Sequence, residues 1–350
     1  MLLKGNYMKI STLIYSALLI IGFHLNVSLT VNADPLGVPD SGNIPWYNDI
    51  KPSDDLIHLG KLLFFDNRLV PDENQSCASC HDPNMGFSDG VALDIKHNGK
   101  KDKRNSPHLY NLAWAPVVHW DGRTTEKCYV PEDTKKEVCL PPLEGQAFKS
   151  MKKRGVYESF IPKLKANAEY RKLFKKAFPP GGEITHANMA IAIGAFERTL
   201  VSNNSAFDRY MKGDNNALSP EAKRGMALFA GKGKCIVCHS GPNFTDHGFH
   251  NIGVDSDDKG KGEKPEAEAM QGAFKTPGLR NALLTAPYMH DGSLGTLEDV
   301  IRFYNRGGDR KENLSKDIKP LNLSDKEIWD MVAFLGSLTD PVLVNRPNVP

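Results

Sequence analysis

The sequence predicts an all-α fold made of two tandem domains with long loops. Apolar residues recur at helical spacing in several segments, and no stretch sustains the apolar–polar alternation of a half-buried strand. One motif also occurs twice, as LGKLLF at 59–64 and as RGMALF at 224–229. This repetition indicates two related modules, joined near 212–219.

The first 33 residues predict an export signal. Lys9 precedes an apolar run at 10–25, and Val31-Asn32-Ala33 has the small residues of a cleavage site. The run is shorter than the roughly 20 apolar residues that a membrane-spanning helix needs, and the mean hydropathy of the chain is −0.41. We therefore expect a periplasmic protein without membrane insertion.

Residues 34–350 are long enough for two domains of about 150 residues each. We assign the first domain to 34–213 and the second to 214–350. The chain has 44 Lys and Arg against 42 Asp and Glu, and Lys4 and Lys9 lie in the predicted signal. The balanced remainder gives no electrostatic reason to bind nucleic acid or an anionic membrane.

Four helices can be recognised from their caps and apolar faces. Ser324 and Glu327 form a capping box, Ser219 precedes Pro220 in a first turn, and Thr296 opens a third helix. The apolar face of the third helix consists of Leu297, Val300, Ile301 and Tyr304. A fourth helix is indicated by the helical spacing of Met189, Ile193, Phe196 and Leu200.

Four of the six cysteines lie in two C-x-x-C-H motifs. Two thiols at this spacing can add to the vinyl groups of one haem, and the adjacent histidine can ligate its iron. The alternatives are a redox C-x-x-C pair or half of a zinc site. Because the protein is expected to be exported and the motif occurs twice, we expect two cytochrome c-like domains that each carry one covalent c-type haem. One haem is attached through Cys77 and Cys80 with His81 as iron ligand, and the other through Cys235 and Cys238 with His239.

Cys128 and Cys139 remain, eleven positions apart in a polar loop. In an oxidising compartment an isolated pair of this kind predicts a disulfide. The alternative is two free thiols, which exported proteins seldom keep.

The sequence resembles the bacterial di-haem cytochrome c peroxidases and their relative MauG, which oxidises tryptophans of a partner protein. The resemblance runs from about 56 to 338 and rests on segments that occur in the family's order. These segments are LGKLLFFD at 59–66, CASCHDP at 77–83, RNSP at 104–107, WDGR at 120–123 and TAPYMHDGS at 285–293.

The resemblance implies that peroxide reacts at the His81 haem and that electrons enter at the His239 haem. Trp120 matches the aromatic residue between the haems, and the alternative role for this side chain is packing in the hydrophobic core. Asn105, Thr285 and Pro287 match residues that give oxygen ligands to a calcium ion between the haems, which suits a hard cation. The alternative for Asn105 is a turn-forming role.

The second iron ligands are expected to decide the chemistry at each haem. At the C-terminal haem the resemblance points to Tyr304, fourteen residues after His290, where the peroxidases have methionine and MauG has tyrosine. Met289 and His290 are other candidates, and Tyr304 could instead be core. At the N-terminal haem, His97 lies sixteen residues after His81 and matches a family histidine that ligates the resting iron and leaves it on activation. The alternative is that His97 is a surface loop residue.

The resemblance fails after the tryptophan motif. The loop with Cys128 and Cys139 intervenes before Gln146, which matches a family position, and the glutamate that moves protons during O–O cleavage is missing. Glu144 or Glu158 could supply that proton transfer, although neither is at the matching position. His119 precedes Trp120, where the family has an aromatic residue, and it receives no role.

Three functions follow from these observations. The leading one is a di-haem peroxidase that reduces hydrogen peroxide with electrons from a small cytochrome c or copper protein. The second is a MauG-like oxidase of a protein substrate, and the third is a non-catalytic electron carrier, suggested by the missing glutamate. The resemblance is compatible with a homodimer.

Overall fold

All four helices predicted from the sequence are present in the computed structural model, which describes residues 36–70, 73–96 and 98–350. The predicted export signal lies outside these residues. The described residues form α1 Asp54–Phe65, β1 Lys127–Tyr129, β2 Val138–Leu140, α2 Pro142–Lys153, α3 Val156–Ser159, α4 Ile161–Ala166, α5 Ala168–Ala177, α6 His186–Glu197, α7 Ala206–Met211, α8 Pro220–Ala230, β3 Phe249–His250, β4 Phe274–Lys275, α9 Leu297–Asn305 and α10 Asp325–Gly336.

Side-chain caps start the main helices where the sequence predicts. The hydroxyl oxygen of Ser324 accepts from the N–H of Glu327, and that of Thr296 accepts from the N–H of Asp299. Ser219 caps α8 ahead of Pro220, and Thr185 caps α6. Each cap satisfies one of the backbone donors that a helix leaves unpaired at its start, which fixes the start of the helix.

The repeated motif builds the same helix crossing twice. In the first copy α1 packs on α6, and in the second α8 packs on α10. The glycine of each copy lies at the crossing: a Cβ on Gly60 would lie 1.8 Å from the carbonyl oxygen of Ala192, and one on Gly225 would lie 1.9 Å from that of Asp330. Glycine is therefore required sterically, although it is a poor helix former.

Two hydrophobic cores form around these crossings. One gathers buried residues between Leu59 and Leu200, and the other gathers Leu36 and residues between Phe207 and Leu338. The fold is thus helix-rich with two cytochrome c-like domains. The boundary between 213 and 214 stays a prediction. No helix among the described residues has the length and apolar character needed to cross a bilayer.

The all-α prediction omitted two small antiparallel sheets. Strands β1 and β2 pair Cys128 with Cys139, and these two cysteines form the predicted disulfide. The second sheet, β3–β4, pairs Phe249 with Lys275. These strands have two or three residues each, too few for a period-two pattern to show in the sequence.

Candidate active site

The first C-x-x-C-H motif lies on a short 3-10 turn, Cys77–Ser79, after α1. The hydroxyl oxygen of Ser79 accepts from the backbone N–H of Ser76 at the start of this turn (3.0 Å). The Nδ1 atom of His81 lies 3.0 Å from the carbonyl oxygen of Phe87, so Nδ1 carries the proton that it donates. This bond leaves the lone pair of Nε2 free for a metal ion.

The second motif repeats this arrangement. Its turn, Cys235–Val237, follows α8, and Nδ1 of His239 lies 2.9 Å from the carbonyl oxygen of Phe244. The same bond to a backbone carbonyl at both histidines fixes the same tautomer, with Nε2 available.

Both motifs border one cavity of about 540 Å³. Its lining includes all four motif cysteines, which are free thiols, together with His81 and His239. Paired free thiols beside an imidazole with an available Nε2 fit covalent haem, whereas a closed zinc site would need four ligands at each motif. When bound there, haem supplies iron that exchanges electrons and reacts with peroxide.

Helix α9 presents Tyr304 to the part of the cavity near the second motif. Leu297, Val300 and Ile301, on the same helical face, also line the cavity. Burial, together with the nearby sulfurs of Cys235 and Cys238, raises the pKa of Tyr304. A phenolate therefore needs a cation beside it, and ferric iron held by His239 would be one.

Trp120 connects the two halves of the cavity lining. Its indole N–H donates to the carbonyl oxygen of Asn105 (2.9 Å), and its own carbonyl accepts from the N–H of Lys275 (2.7 Å). The N–H of Asn105 donates to the carbonyl of His290 (2.7 Å). These bonds tie the WDGR segment of the first half to the TAPYMHDGS segment of the second.

The predicted calcium ligands Asn105, Thr285 and Pro287 all line the same cavity. The side-chain amide nitrogen of Asn105 donates to the carbonyl of Val91 (2.9 Å), so its amide oxygen is left free to accept a cation. A side-chain amide oxygen and backbone oxygens are ligands that suit calcium.

The two catalytic candidates on helix α2, Glu144 and Gln146, have different surroundings. Gln146 lines the cavity. Glu144 does not: its carboxylate is fully buried against α6 and forms a bidentate ion pair with Arg198 (2.8 and 2.9 Å). The structure therefore argues against proton transfer by Glu144, because this carboxylate is committed to a guanidinium away from the cavity.

The remaining two candidates, His97 and Glu158, receive no support from the cavity lining. His97 lies outside the described residues, so its expected role stays a prediction. Glu158 is exposed on α3 and is not part of the cavity lining.

The sequence analysis did not single out several titratable residues of the cavity lining, among them Glu197 and Lys275. Burial, with the nearby Glu144 carboxylate, raises the pKa of Glu197 to about 8. Burial lowers the pKa of Lys275, which donates to the carbonyl of Thr276, to about 8. A charged residue at the end of the apolar face of α6 was the available signal for Glu197, whereas no local pattern indicated Lys275.

The fold and the paired motifs define the class: a cytochrome c-type protein with two haem sites. The family model for di-haem cytochrome c peroxidase matches residues 54–216, and the cytochrome c model matches 222–339. Methylamine utilization protein MauG of Methylorubrum extorquens is 39% identical over 316 residues, which cover 89% of this chain and 86% of that protein. The chain belongs to the di-haem cytochrome c peroxidase and MauG family, whose members are oxidoreductases.

Two further relatives represent the range of the family. Cytochrome c551 peroxidase of Pseudomonas aeruginosa is 33% identical over 291 residues, covering 80% of this chain and 78% of that protein. The crystal structure of a MauG-like protein associated with microbial copper homeostasis matches with a TM-score of 0.71 at 29% identity, covering 90% of this chain and 95% of that one.

Proposed function

We propose that this chain is a periplasmic di-haem peroxidase that reduces hydrogen peroxide at the His81 site. Electrons from a small cytochrome c or copper protein enter at the His239 site. Reduction of one peroxide consumes two electrons and two protons and yields two waters. The observation that carries the proposal is that the cavity bordered by both motifs is also lined by Tyr304 of α9, whose pKa is raised by burial and by the nearby sulfurs of Cys235 and Cys238, and by Gln146 of α2, which is not an iron ligand. We assign Tyr304 to the His239 site and Gln146 to the His81 site.

Tyr304 supports a reaction that starts from the fully oxidised protein. A phenolate ligand favours ferric and higher iron states, whereas a methionine thioether raises the haem potential. We assign Trp120 as an oxidisable relay between the two sites, because it lines the shared cavity and its hydrogen bond to Asn105 holds the indole in place.

The oxidised wild-type protein is expected to change its haem absorption when mixed with one equivalent of peroxide. A Tyr304→Met variant is expected to react at least about 100-fold more slowly in the oxidised state, and to recover when its C-terminal haem is first reduced. Stopped-flow absorption measures both reactions. Oxidised wild-type protein that shows no spectral change would contradict the proposal.

A MauG-like oxidation of a protein substrate is the second candidate, and two observations favour it. The curated relative at 39% identity is MauG, and Tyr304 lies in the cavity near His239. The two functions differ in their electron source. Sustained peroxide consumption with reduced cytochrome c favours the peroxidase, and peroxide-dependent oxidation of a partner's side chains without such consumption favours the oxidase.

Calcium is part of the proposal because Asn105, Thr285 and Pro287, which carry side-chain or backbone oxygen atoms, line the same cavity. Chelator treatment is expected to remove about one calcium per chain and to slow electron transfer between the haems, since Trp120 is bonded to Asn105. Metal analysis and stopped-flow absorption test this. Asn105→Ala is expected to reproduce the loss, and Asn98→Ala, at an exposed position, is the matched control.

A further inference from the structure

The turn at 118–124 brings a histidine to the cavity beside α2. Val118 and Thr124 pair across this turn, and Val118 packs with Leu143 of α2. The Lys149 ammonium donates to the carbonyl of Arg123 and to the hydroxyl of Thr124, both at 3.3 Å, which fastens the turn to α2. The residue after Val118 is His119, and it lines the cavity with Gln146.

The backbone of this turn does not by itself mark a function. His119 has a φ of 71°, in the left-handed region that non-glycine residues seldom adopt. Met289, in the corresponding turn of the second half, has a φ of 73°, and that turn is closed by the same kind of pairing, between Tyr288 and Leu294. The conformation therefore belongs to the repeated turn, and what distinguishes the first copy is its imidazole.

The imidazole of His119 is uncommitted, unlike other histidines of the lining. His81, His108 and His239 each place a ring nitrogen within 3.0 Å of a backbone carbonyl oxygen. Neither ring nitrogen of His119 has a hydrogen-bond partner among the residues that the structure describes. One nitrogen of a neutral ring accepts a proton while the other donates one.

The surroundings of His119 favour the neutral ring. Burial, followed by the positive charge of Arg123, lowers its pKa to about 3, against the opposing charge of Asp121. Lys149 of α2 and His81 also lower it. Asp121 is itself paired with Arg104 (2.6 Å), so its carboxylate is neutralised by another partner.

The other polar groups near this part of the cavity are less suited to proton transfer. Glu144 is paired with Arg198, and the amide of Gln146 does not titrate in the range of biological pH. Glu197 lies close enough to the first motif for its charge to raise the pKa of Cys77, on the side of the cavity formed by α6. Asp94 also lines the cavity, and its carboxylate accepts from the hydroxyl of Ser106 (2.6 Å). Of the candidates His119, Glu197 and Asp94, His119 is the one whose turn is fastened to α2, the helix that carries Gln146.

We infer that His119 transfers the proton in peroxide cleavage at the His81 site. This inference rests on the proposed function. His119 takes the proton from the oxygen of peroxide that faces the iron and returns it to the other oxygen. The O–O bond would then break: the outer oxygen, now carrying two protons, would leave as water, with two electrons supplied by the haems. The other oxygen would take two protons from solvent to become the second water, and the external donor would return the two electrons to the haems. Gln146 orients the leaving oxygen by hydrogen bonding.

His119→Phe removes the titratable group at similar volume and is expected to slow the peroxide reaction by about 10²- to 10⁴-fold. Cyanide is the second probe, because hydrogen cyanide must give up its proton to bind ferric iron. Its association rate is expected to fall by a similar factor. His119→Gln keeps a hydrogen-bonding side chain but cannot take up a proton, and both rates are expected to fall as they do in His119→Phe. If His119→Phe loses haem, His119→Gln takes its place in the test.

The controls separate proton transfer from structural damage. His58→Phe, at an exposed position on α1, is expected to leave both rates unchanged. Haem content and thermal unfolding of the His119 variants should match wild type. The inference is overturned if both rates are unchanged in the His119 variants, if Glu197→Gln alone reproduces the loss, or if His119→Phe converts a low-spin haem to high spin, which would make His119 an iron ligand.

Failure of the peroxidase proposal can be distinguished from failure of the inference about His119. If wild-type protein does not turn over peroxide, the peroxidase proposal fails. Cyanide association still reports on His119 in that case, because it requires only ferric iron at the His81 site and a base beside it. A slower association in His119→Phe would then support the base without the peroxidase, and an unchanged rate would contradict both.

Discussion

Alanine at Gly60 or at Gly225 is expected to lower the free energy of unfolding by about 3 kcal/mol. Two effects oppose each other. Alanine favours an isolated helix over glycine by about 1 kcal/mol. The new methyl, however, would lie 1.8 Å from the carbonyl oxygen of Ala192 or 1.9 Å from that of Asp330. Backbone oxygens cannot turn aside as a flexible side chain can, so the crossing helices must separate and the steric cost dominates.

Urea unfolding of the haem-loaded protein measures this loss. Gly181→Ala is the matched control, because the nearest atom to its new methyl is the Cγ of Glu183, at 3.8 Å. The control is expected to change stability by less than about 1 kcal/mol. Equal stability of Gly60→Ala and Gly181→Ala would show that the α1–α6 crossing does not require glycine.

Removing one partner of the Glu144–Arg198 ion pair is expected to destabilise the protein by about 3–5 kcal/mol. Both side chains are almost completely buried, and the guanidinium binds both carboxylate oxygens. Glu144→Met would leave an uncompensated buried cation, and Arg198→Met an uncompensated buried anion. Each single variant should therefore be far less stable than the double variant, in which two apolar side chains of similar volume replace the pair.

The double variant also tests whether Glu144 takes part in the chemistry. If it keeps its haems and reacts with peroxide at the wild-type rate, the ion pair is structural, as its burial away from the cavity indicates. A folded, haem-loaded double variant that loses the peroxide reaction would restore Glu144 as the proton-transfer group. Thermal unfolding and stopped-flow absorption on the same samples separate the two outcomes.

Much of the scaffold could be predicted from local patterns. The capping box at Ser324 and Glu327 marked the start of α10, and the two copies of the LGKLLF-type motif predicted the two related modules. The pair Cys128 and Cys139 was predicted by exclusion and forms a disulfide. These features are local because a cap, a repeat or a pair of leftover cysteines constrains only a few neighbouring residues.

The side of α2 that meets the cavity could not be predicted in this way. On a helix with 3.6 residues per turn, Glu144 and Gln146 are separated by about 200° and must face opposite sides. Which side meets the cavity is decided by α6, where Gly194 leaves room for Glu144: a Cβ there would lie 2.6 Å from its carboxylate oxygen. Helical periodicity predicts that Glu144 and Gln146 lie on opposite faces of α2, whereas only packing against α6 decides which of the two faces the cavity.

The two C-x-x-C-H motifs, the helix starts and the family resemblance could be predicted from sequence alone, because each depends on residues that are close along the chain. Which side chains share the cavity depends instead on tertiary packing. Packing buried Glu144 in an ion pair, hydrogen-bonded Trp120 to Asn105, and fastened the turn that carries His119 to α2. These relations join residues that are up to 54 positions apart. They depend on how helices and turns pack, which no local pattern specifies.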